Sequence, residues 1–238
     1  MEWTDAAIIL SVRPHGEKAA VVDVLSASHG RWQGRVNAAQ TGPRKAWLAP
    51  GTVVEATWRA RLEEQLGVFS LEPTQHITAH IFDEPQALLT VDYICQLTRD
   101  TTAERLPLPL LFEKLHDALV VLNAANAAWV TIDYERSLLD VLGYGLDISS
   151  CAVTGQTHDL THISPNTGRA VCAAEAEPYK DRLLPLPGYW LDKAATADIA
   201  AAAQVTGHFL AQHFYQPPVQ LPPVRGQLFA ASQSLIGR

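Results

Sequence analysis

Val54-Glu55-Ala56-Thr57-Trp58-Arg59-Ala60-Arg61-Leu62 alternates apolar and polar residues from end to end. Successive side chains of a β-strand point to opposite faces, so Val54, Ala56, Trp58, Ala60 and Leu62 are predicted to face a core. Glu55, Thr57, Arg59 and Arg61 then face water. A single strand with one dry face needs partners, and the flanking sequence supplies them. Toward the N-terminus, Ile8, Leu10 and Val12 are predicted to share one face of a first strand and Val22 and Val24 one face of a second, with Arg13-Pro14-His15-Gly16 as the turn between them. Ser28-His29-Gly30 marks the next turn and opens a third strand over about residues 31–38. A Gly/Pro/Arg/Lys loop follows at 41–45, and beyond the quoted strand a fifth runs over residues 67–72. Five short strands and one long loop fit an OB-type β-barrel over residues 1–79.

From about His80 the spacing changes. Leu88, Val91, Ile94, Cys95 and Thr98 recur at three and four, as do Leu111, Leu115, Leu119 and Leu122, which predicts two amphipathic helices. A third is expected over residues 127–142, closed by Gly143. Periodicity is lost between about 145 and 190, where Cys151, Gly155, Pro165, Gly168, Cys172, Pro178, Pro185 and Pro187 mark turns. Helix resumes around Lys193, stops at Pro217-Pro218, and a last short helix follows Pro222-Pro223. The reading is α+β, with a barrel domain at 1–79 and a helical domain at 80–238.

Charge separates the same two parts. The chain of 238 residues carries a net charge of −7; residues 1–79 hold 8 Lys/Arg against 8 Asp/Glu, whereas residues 80–238 hold 10 against 17. Between residues 13 and 61 lie Arg13, Lys18, Arg31, Arg35, Arg44, Lys45, Arg59 and Arg61, opposed by Glu17, Asp23 and Glu55. Arg13, Arg31, Arg35, Arg44, Lys45, Arg59 and Arg61 are the candidate DNA contacts, with Trp32 or Trp47 as a stacking platform for bases. The acidic first residues do not resemble a signal peptide. No apolar run approaches the roughly 20 residues that span a bilayer, so a cytoplasmic, membrane-free protein is expected.

Chemistry is sparse. G-x-S-x-G, G-x-G-x-x-G and G-x-x-x-x-G-K-[ST] are all missing from the sequence, and Glu63-Glu64 reads as a polar hairpin tip. Three widely spaced cysteines, Cys95, Cys151 and Cys172, predict reduced thiols. Cys151, His158, His162 and Cys172 are zinc-competent and share the irregular segment. However, Thr154 and Glu175 stand three residues after each cysteine, where paired C-x2-C sites carry thiolates, so no metal and no cofactor is expected. The alternatives are another nucleic-acid-binding OB module with an adaptor role and, from the enzyme class, a hydrolase using Cys151 or Cys172 with a nearby histidine.

The sequence as a whole resembles the RecO family of recombination mediators. Residues 7–31, A-I-I-L-S-V-R-P-H-G-E-K-A-A-V-V-D-V-L-S-A-S-H-G-R, are similar to its first hairpin, and Leu48-Ala49-Pro50 follows at the matching distance. Tyr93-Ile94 with Leu97, and Tyr134-Glu135 with Leu138-Leu139 and Leu142-Gly143-Tyr144, resemble its helical signatures. Cys151-A-V-T-G and Ser164-Pro165 with Gly168 and Cys172 resemble its zinc-knuckle segment with two of four cysteines replaced. The resemblance implies an OB fold, a non-enzymatic role in repair and recombination, and binding of single- and double-stranded DNA. It also implies strand annealing and loading of RecA together with RecR and the single-stranded-DNA-binding protein SSB. Arg136, inside the helical signature, is the candidate charged edge for the acidic SSB tail. Where the family shows basic residues and glycine after strand three, this chain has Asn37, Ala38 and Gln40.

Overall fold

A computed structural model describes residues 1–37, 47–62, 64–75, 77, 79–192 and 198–236, with side chains as far as residue 230. Two compact units divide the chain, Met1–Val130 and Thr131–Arg238. The first unit therefore continues through two helices past the barrel's end near residue 79, and the second begins later than the helical spacing alone suggests.

Five strands form the barrel: β1 (Glu2–His15), β2 (Ala19–Ser26), β3 (Gly30–Val36), β4 (Val53–Arg59) and β5 (Val68–Gln75). They close in the order β1-β2-β3-β5-β4, antiparallel except for β3 with β5, which is the OB arrangement. Alternation works as expected in β4, where Val54, Ala56 and Trp58 are buried and Glu55 and Arg59 are exposed. It fails just beyond. Ala60 donates its N–H to Met1 O and the Met1 ammonium donates back to Ala60 O, the last pair in register with the ladder; Arg61 and Leu62 then lie in a bend, and Leu62 is exposed.

In β1 the register with β2 slips between Ile9 and Ser11, a bulge that reverses which side chains face inward. Ala7, Ile9 and Val12 belong to the barrel core, correcting the expected set of Ile8, Leu10 and Val12. Ile8 and Leu10 are buried too, because the strand is covered on its outer side by helices α1 (Pro85–Thr101) and α2 (Pro109–Val121). Inside the barrel, Trp58 is the centrepiece. Its ring lies edge-on to Trp32 at 4.6 Å and parallel to Trp3 at 6.4 Å, and its N–H is shared between Gln33 O and Leu66 O.

Between β3 and β5 only one pair, Arg35 with Val68, closes the barrel. The chain after α1 fills the remaining gap: Glu104 bridges Arg31 in parallel, and Arg105 N–H donates to Arg31 O at 2.8 Å. Gly30, at φ +76°, permits this, since a Cβ there would stand 1.9 Å from Leu106 O.

α3 (Ala127–Val141) carries its body into the second unit and closes as expected, with Gly143 at φ +87°. Residues 145–190 hold more regular structure than their punctuation suggests. β6 (Leu160–Ile163), β7 (Ala170–Cys172) and β8 (Leu184–Pro185) form a small antiparallel sheet, and a single turn, α4 (Ala173–Ala176), follows β7. α5 (Ile199–His213) is capped by Asp198, whose carboxylate accepts from Ala201 N–H at 2.9 Å, and α6 (Pro223–Ile236) starts at the second proline. No described helix is long and apolar enough to cross a membrane.

The second unit is held by an internal charge. Glu135, wholly buried on α3, receives Arg225 Nε at 2.7 Å and Nη2 at 3.0 Å, and also the Thr206 hydroxyl. The bidentate fork joins α3, α5 and α6, and further hydrogen bonds from Thr206 to the carboxylate and from Arg225 Nη2 to Ala203 O help to offset the cost of burying the pair.

Candidate nucleic-acid interface

The barrel's outer face has an ordered charge pattern. Register places Arg35 of β3 beside Val68 of β5, Val68 beside Arg59 of β4, and Arg59 beside Glu2 of β1, so these four side chains form one outward row. All four are exposed. Arg61 joins them from the bend, and Met1, Glu2, Arg59, Ala60, Arg61 and Val68 line a shallow depression of about 570 Å³. The acidic member of the row is Glu2, which accepts from Arg59 Nη2 at 2.8 Å, and that hydrogen bond holds its carboxyl below the usual carboxylate range. With side chains 66% and 53% exposed, the pair is open to competition from an incoming anion. Moving along the strands, the next row pairs Thr57 with Ser70 and the one after pairs Glu55 with Glu72, so positive charge is confined to one end of this face.

The other candidate arginines are used internally. Asp23, wholly buried on β2, accepts from Ser11 Oγ at 2.7 Å, Arg13 Nη2 at 3.3 Å and Arg31 Nη1 at 3.2 Å. Arg31 also donates to Thr102 O and reaches Glu104 at 3.4 Å, and its side chain is only 12% exposed. It anchors the segment that fills the barrel gap. Arg13 keeps more than half of its side chain in solvent. Arg44 and Lys45 lie outside the described residues. Trp32 is buried, donates to His29 O and carries the Arg105 guanidinium 4.7 Å above its ring, so it is closed to bases; Trp47 is half-buried against the barrel core. Beside the filled gap, Gln33, Glu64, Gln65, Leu66, Glu104 and Arg105 line a smaller recess of about 250 Å³, which two carboxylates make unattractive to phosphate.

Sequence reasoning missed Asp23, Glu2 and Glu104. Of these only Asp23 left a signal: a carboxylate between Val22 and Val24 in a strand otherwise apolar.

In the second unit, the Arg136 guanidinium lies 4.9 Å from the ring centre of Trp190, in a cation–π contact. Cys151 and Cys172 come together at the end of β7, where Cys172 N–H donates to Cys151 Sγ at 3.4 Å and Thr154 Oγ1 lies 3.9 Å from Cys172 Sγ. Burial opposes ionisation of Cys151, but the Thr154 hydroxyl and the N–H groups of Thr154, Cys172 and Val153 outweigh it and bring its pKa down to about 6. His158 and His162 do not join them: His158 is exposed, and His162 Nδ1 is paired with Thr161 Oγ1 at 2.9 Å. Two thiols beside a threonine hydroxyl do not fit zinc, which takes four N, S or carboxylate donors. Among the described residues no group of three His, Cys, Asp or Glu is placed to hold a metal.

A closed five-stranded barrel of OB order, with a basic row at one end of its outer face, defines an OB-type protein. Comparison with known families makes this specific. Residues 1–76 match the family "Recombination protein O N terminal" and residues 83–222 match "Recombination protein O C terminal", and the chain belongs to this family of DNA repair and recombination proteins. It is 41% identical over 219 residues to the DNA repair protein RecO of Rhodospirillum centenum, covering 90% of this chain and 88% of that one. To the DNA repair protein RecO of Caulobacter sp. strain K31 it is 40% identical over 231 residues, covering 94% and 95%. The protein of the same name from Phenylobacterium zucineum is 40% identical over 232 residues.

Proposed function

We propose that this chain serves DNA repair and recombination by holding DNA strands on the basic end of its barrel, without making or breaking covalent bonds. The observation that carries the reading is the exposed row in which Arg35 and Arg59 flank Val68, with Arg61 joining Arg59 and Val68 in one shallow depression at its edge. Register sets Arg13 beside Val21 and Val21 beside Arg35, so Arg13 extends the row; Arg44 and Lys45, the remaining candidates, lie outside the described residues. Guanidinium groups on a strand face track phosphates and not base edges, so binding is expected to be indifferent to sequence and to include both single- and double-stranded DNA. A protein that holds two strands this way can anneal complements. In this reading it works with RecR and SSB in loading RecA in the cytoplasm, with Arg136 as the charged edge for the acidic SSB tail; membership of the recombination-protein family supports the pathway.

The test is binding to a labelled single-stranded oligonucleotide across a salt series. The reading requires a linear fall of log affinity with log salt, at roughly 0.7 per phosphate contacted. Affinity that ignores salt, or is absent at 50 mM salt, overturns it. The partner assignment is checked separately by whether removal of the SSB tail weakens its binding.

A further inference from the structure

The pair of thiols that cannot serve zinc is arranged for something else. Cys151 opens a tight turn: its N–H donates to Gln156 O, Gly155 N–H returns to Cys151 O, and Gly155 takes φ +76°. The turn aims N–H groups and the Thr154 hydroxyl at one sulfur, the geometry that stabilises a thiolate. The same hydroxyl lies 3.9 Å from the second sulfur, that of Cys172, 21 residues further along, whose own N–H donates to Cys151 Sγ at 3.4 Å, so the two cysteines are neighbours in space. Cys151 and Cys172 are themselves buried, but residues 153, 154 and 155 of the same turn are exposed. Cys95, equally buried, is the internal contrast in its surroundings: it has no second thiol beside it among the described contacts, donates to Ile9 O, and has its pKa pushed up to about 12 by burial and Asp92.

We infer that Cys151 and Cys172 form a reversible intramolecular disulfide when the protein meets a hydroperoxide, with Cys151 as the attacking thiolate and Cys172 as the resolving thiol. The Cys151 thiolate attacks one peroxide oxygen; the S–O bond forms, the O–O bond breaks, and hydroxide leaves, taking up the proton that Cys151 released. Cys172 then attacks the sulfenic sulfur; the S–S bond forms, the S–O bond breaks, and the departing oxygen leaves as water with the Cys172 proton. Two thiols and one hydrogen peroxide become one disulfide and two waters, the sulfurs being oxidised and the peroxide reduced. The bond would staple the end of β7 to the 151–156 turn.

The full-length protein, exposed to a small excess of hydrogen peroxide, quenched with iodoacetamide and mapped by mass spectrometry, decides this. The expected result is a linked peptide pair containing Cys151 and Cys172, short by two hydrogens and restored by dithiothreitol, while Cys95 is alkylated as a free thiol. Cys151 should be consumed at least about 10-fold faster than Cys95. Cys172→Ser should stop at a sulfenic acid on Cys151 that dimedone captures; should that variant not fold, the wild-type linkage map decides alone. Oxidation of Cys151 to a sulfinic acid without a cross-link, equal rates at Cys151 and Cys95, or one equivalent of tightly bound metal shielding both thiols would each overturn the proposal.

Discussion

Two groups of arginines on one barrel have opposite fates. Arg31, and in part Arg13, turn to Asp23, a wholly buried carboxylate, while Arg35, Arg59 and Arg61 stay at the surface around Val68. All five are the same residue type on or next to outward strand positions. What separates them is the dielectric around the nearest acid. A buried carboxylate cannot be left alone and captures its cations, whereas the exposed Glu2 holds Arg59 only weakly. Arg31 is structural, Arg13 is shared between the two roles, and Arg35, Arg59 and Arg61 are available.

That contrast can be broken most severely at Asp23. Asp23→Ala leaves the largely buried Arg31 with only the half-exposed Glu104 as a carboxylate partner, and a loss of about 3 kcal/mol in unfolding free energy is expected from urea titration. DNA affinity of the protein that remains folded should be unchanged; a loss of affinity there would erase the distinction between the groups. Replacing Arg35, Arg59 and Arg61 together by alanine should do the reverse. Urea stability should stay within about 0.5 kcal/mol, while the salt slope for single-stranded DNA flattens by roughly 2, three contacts at about 0.7 each.

A smaller effect is expected at Asp5, which lies under the β2–β3 turn. Burial raises its pKa, but the Ser26 hydroxyl, the Ser28 N–H and His29 outweigh that, and the net shift is downward. A carboxylate with a lowered folded pKa stabilises above its unfolded value and loses that contribution as pH falls through the folded one. Asp5→Ala should therefore cost about 1 kcal/mol at pH 6, with the gap to wild type closing below about pH 4; a gap constant down to pH 2.5 would contradict it. Smallest of all, Glu2→Gln releases Arg59 and should tighten DNA binding by no more than about 3-fold at low salt, vanishing at high salt as surface electrostatics are screened.

Much of the barrel was legible because its strands are long enough for alternation to show, and β4 reads as written from Val54 to Arg59. Its end was not legible, since Ala60, Arg61 and Leu62 keep the alternation in sequence although Arg61 and Leu62 already lie in a bend. The bulge in β1 was hidden because Ala7, Ile8, Ile9 and Leu10 are all apolar, and a run buried on both sides carries no phase. Of the candidate interface, Arg35, Arg59 and Arg61 were nameable as residues, but their meeting at Val68 is a product of register between strands far apart in sequence. Arg31 was misjudged as a surface group because its partners, Asp23 and the Thr102 and Glu104 segment, are visible only once the barrel gap is seen. The sheet of β6, β7 and β8 escaped notice because strands of 4, 3 and 2 residues are too short to alternate.

The Glu135–Arg225 fork also sets a timetable. The two residues are 90 positions apart, so a ribosome adding roughly 5–20 residues per second delivers the cation about 5–20 seconds after the anion. Until then, folding α3 against α5 would bury an unbalanced carboxylate, and the second unit has to wait open. The barrel's fifth strand ends at Gln75, so all of its strands have been synthesised before Glu135 is. A nascent chain interrupted just short of Arg225 would thus carry a finished barrel and an unfinished remainder, a marked target for proteolysis confined to its second half.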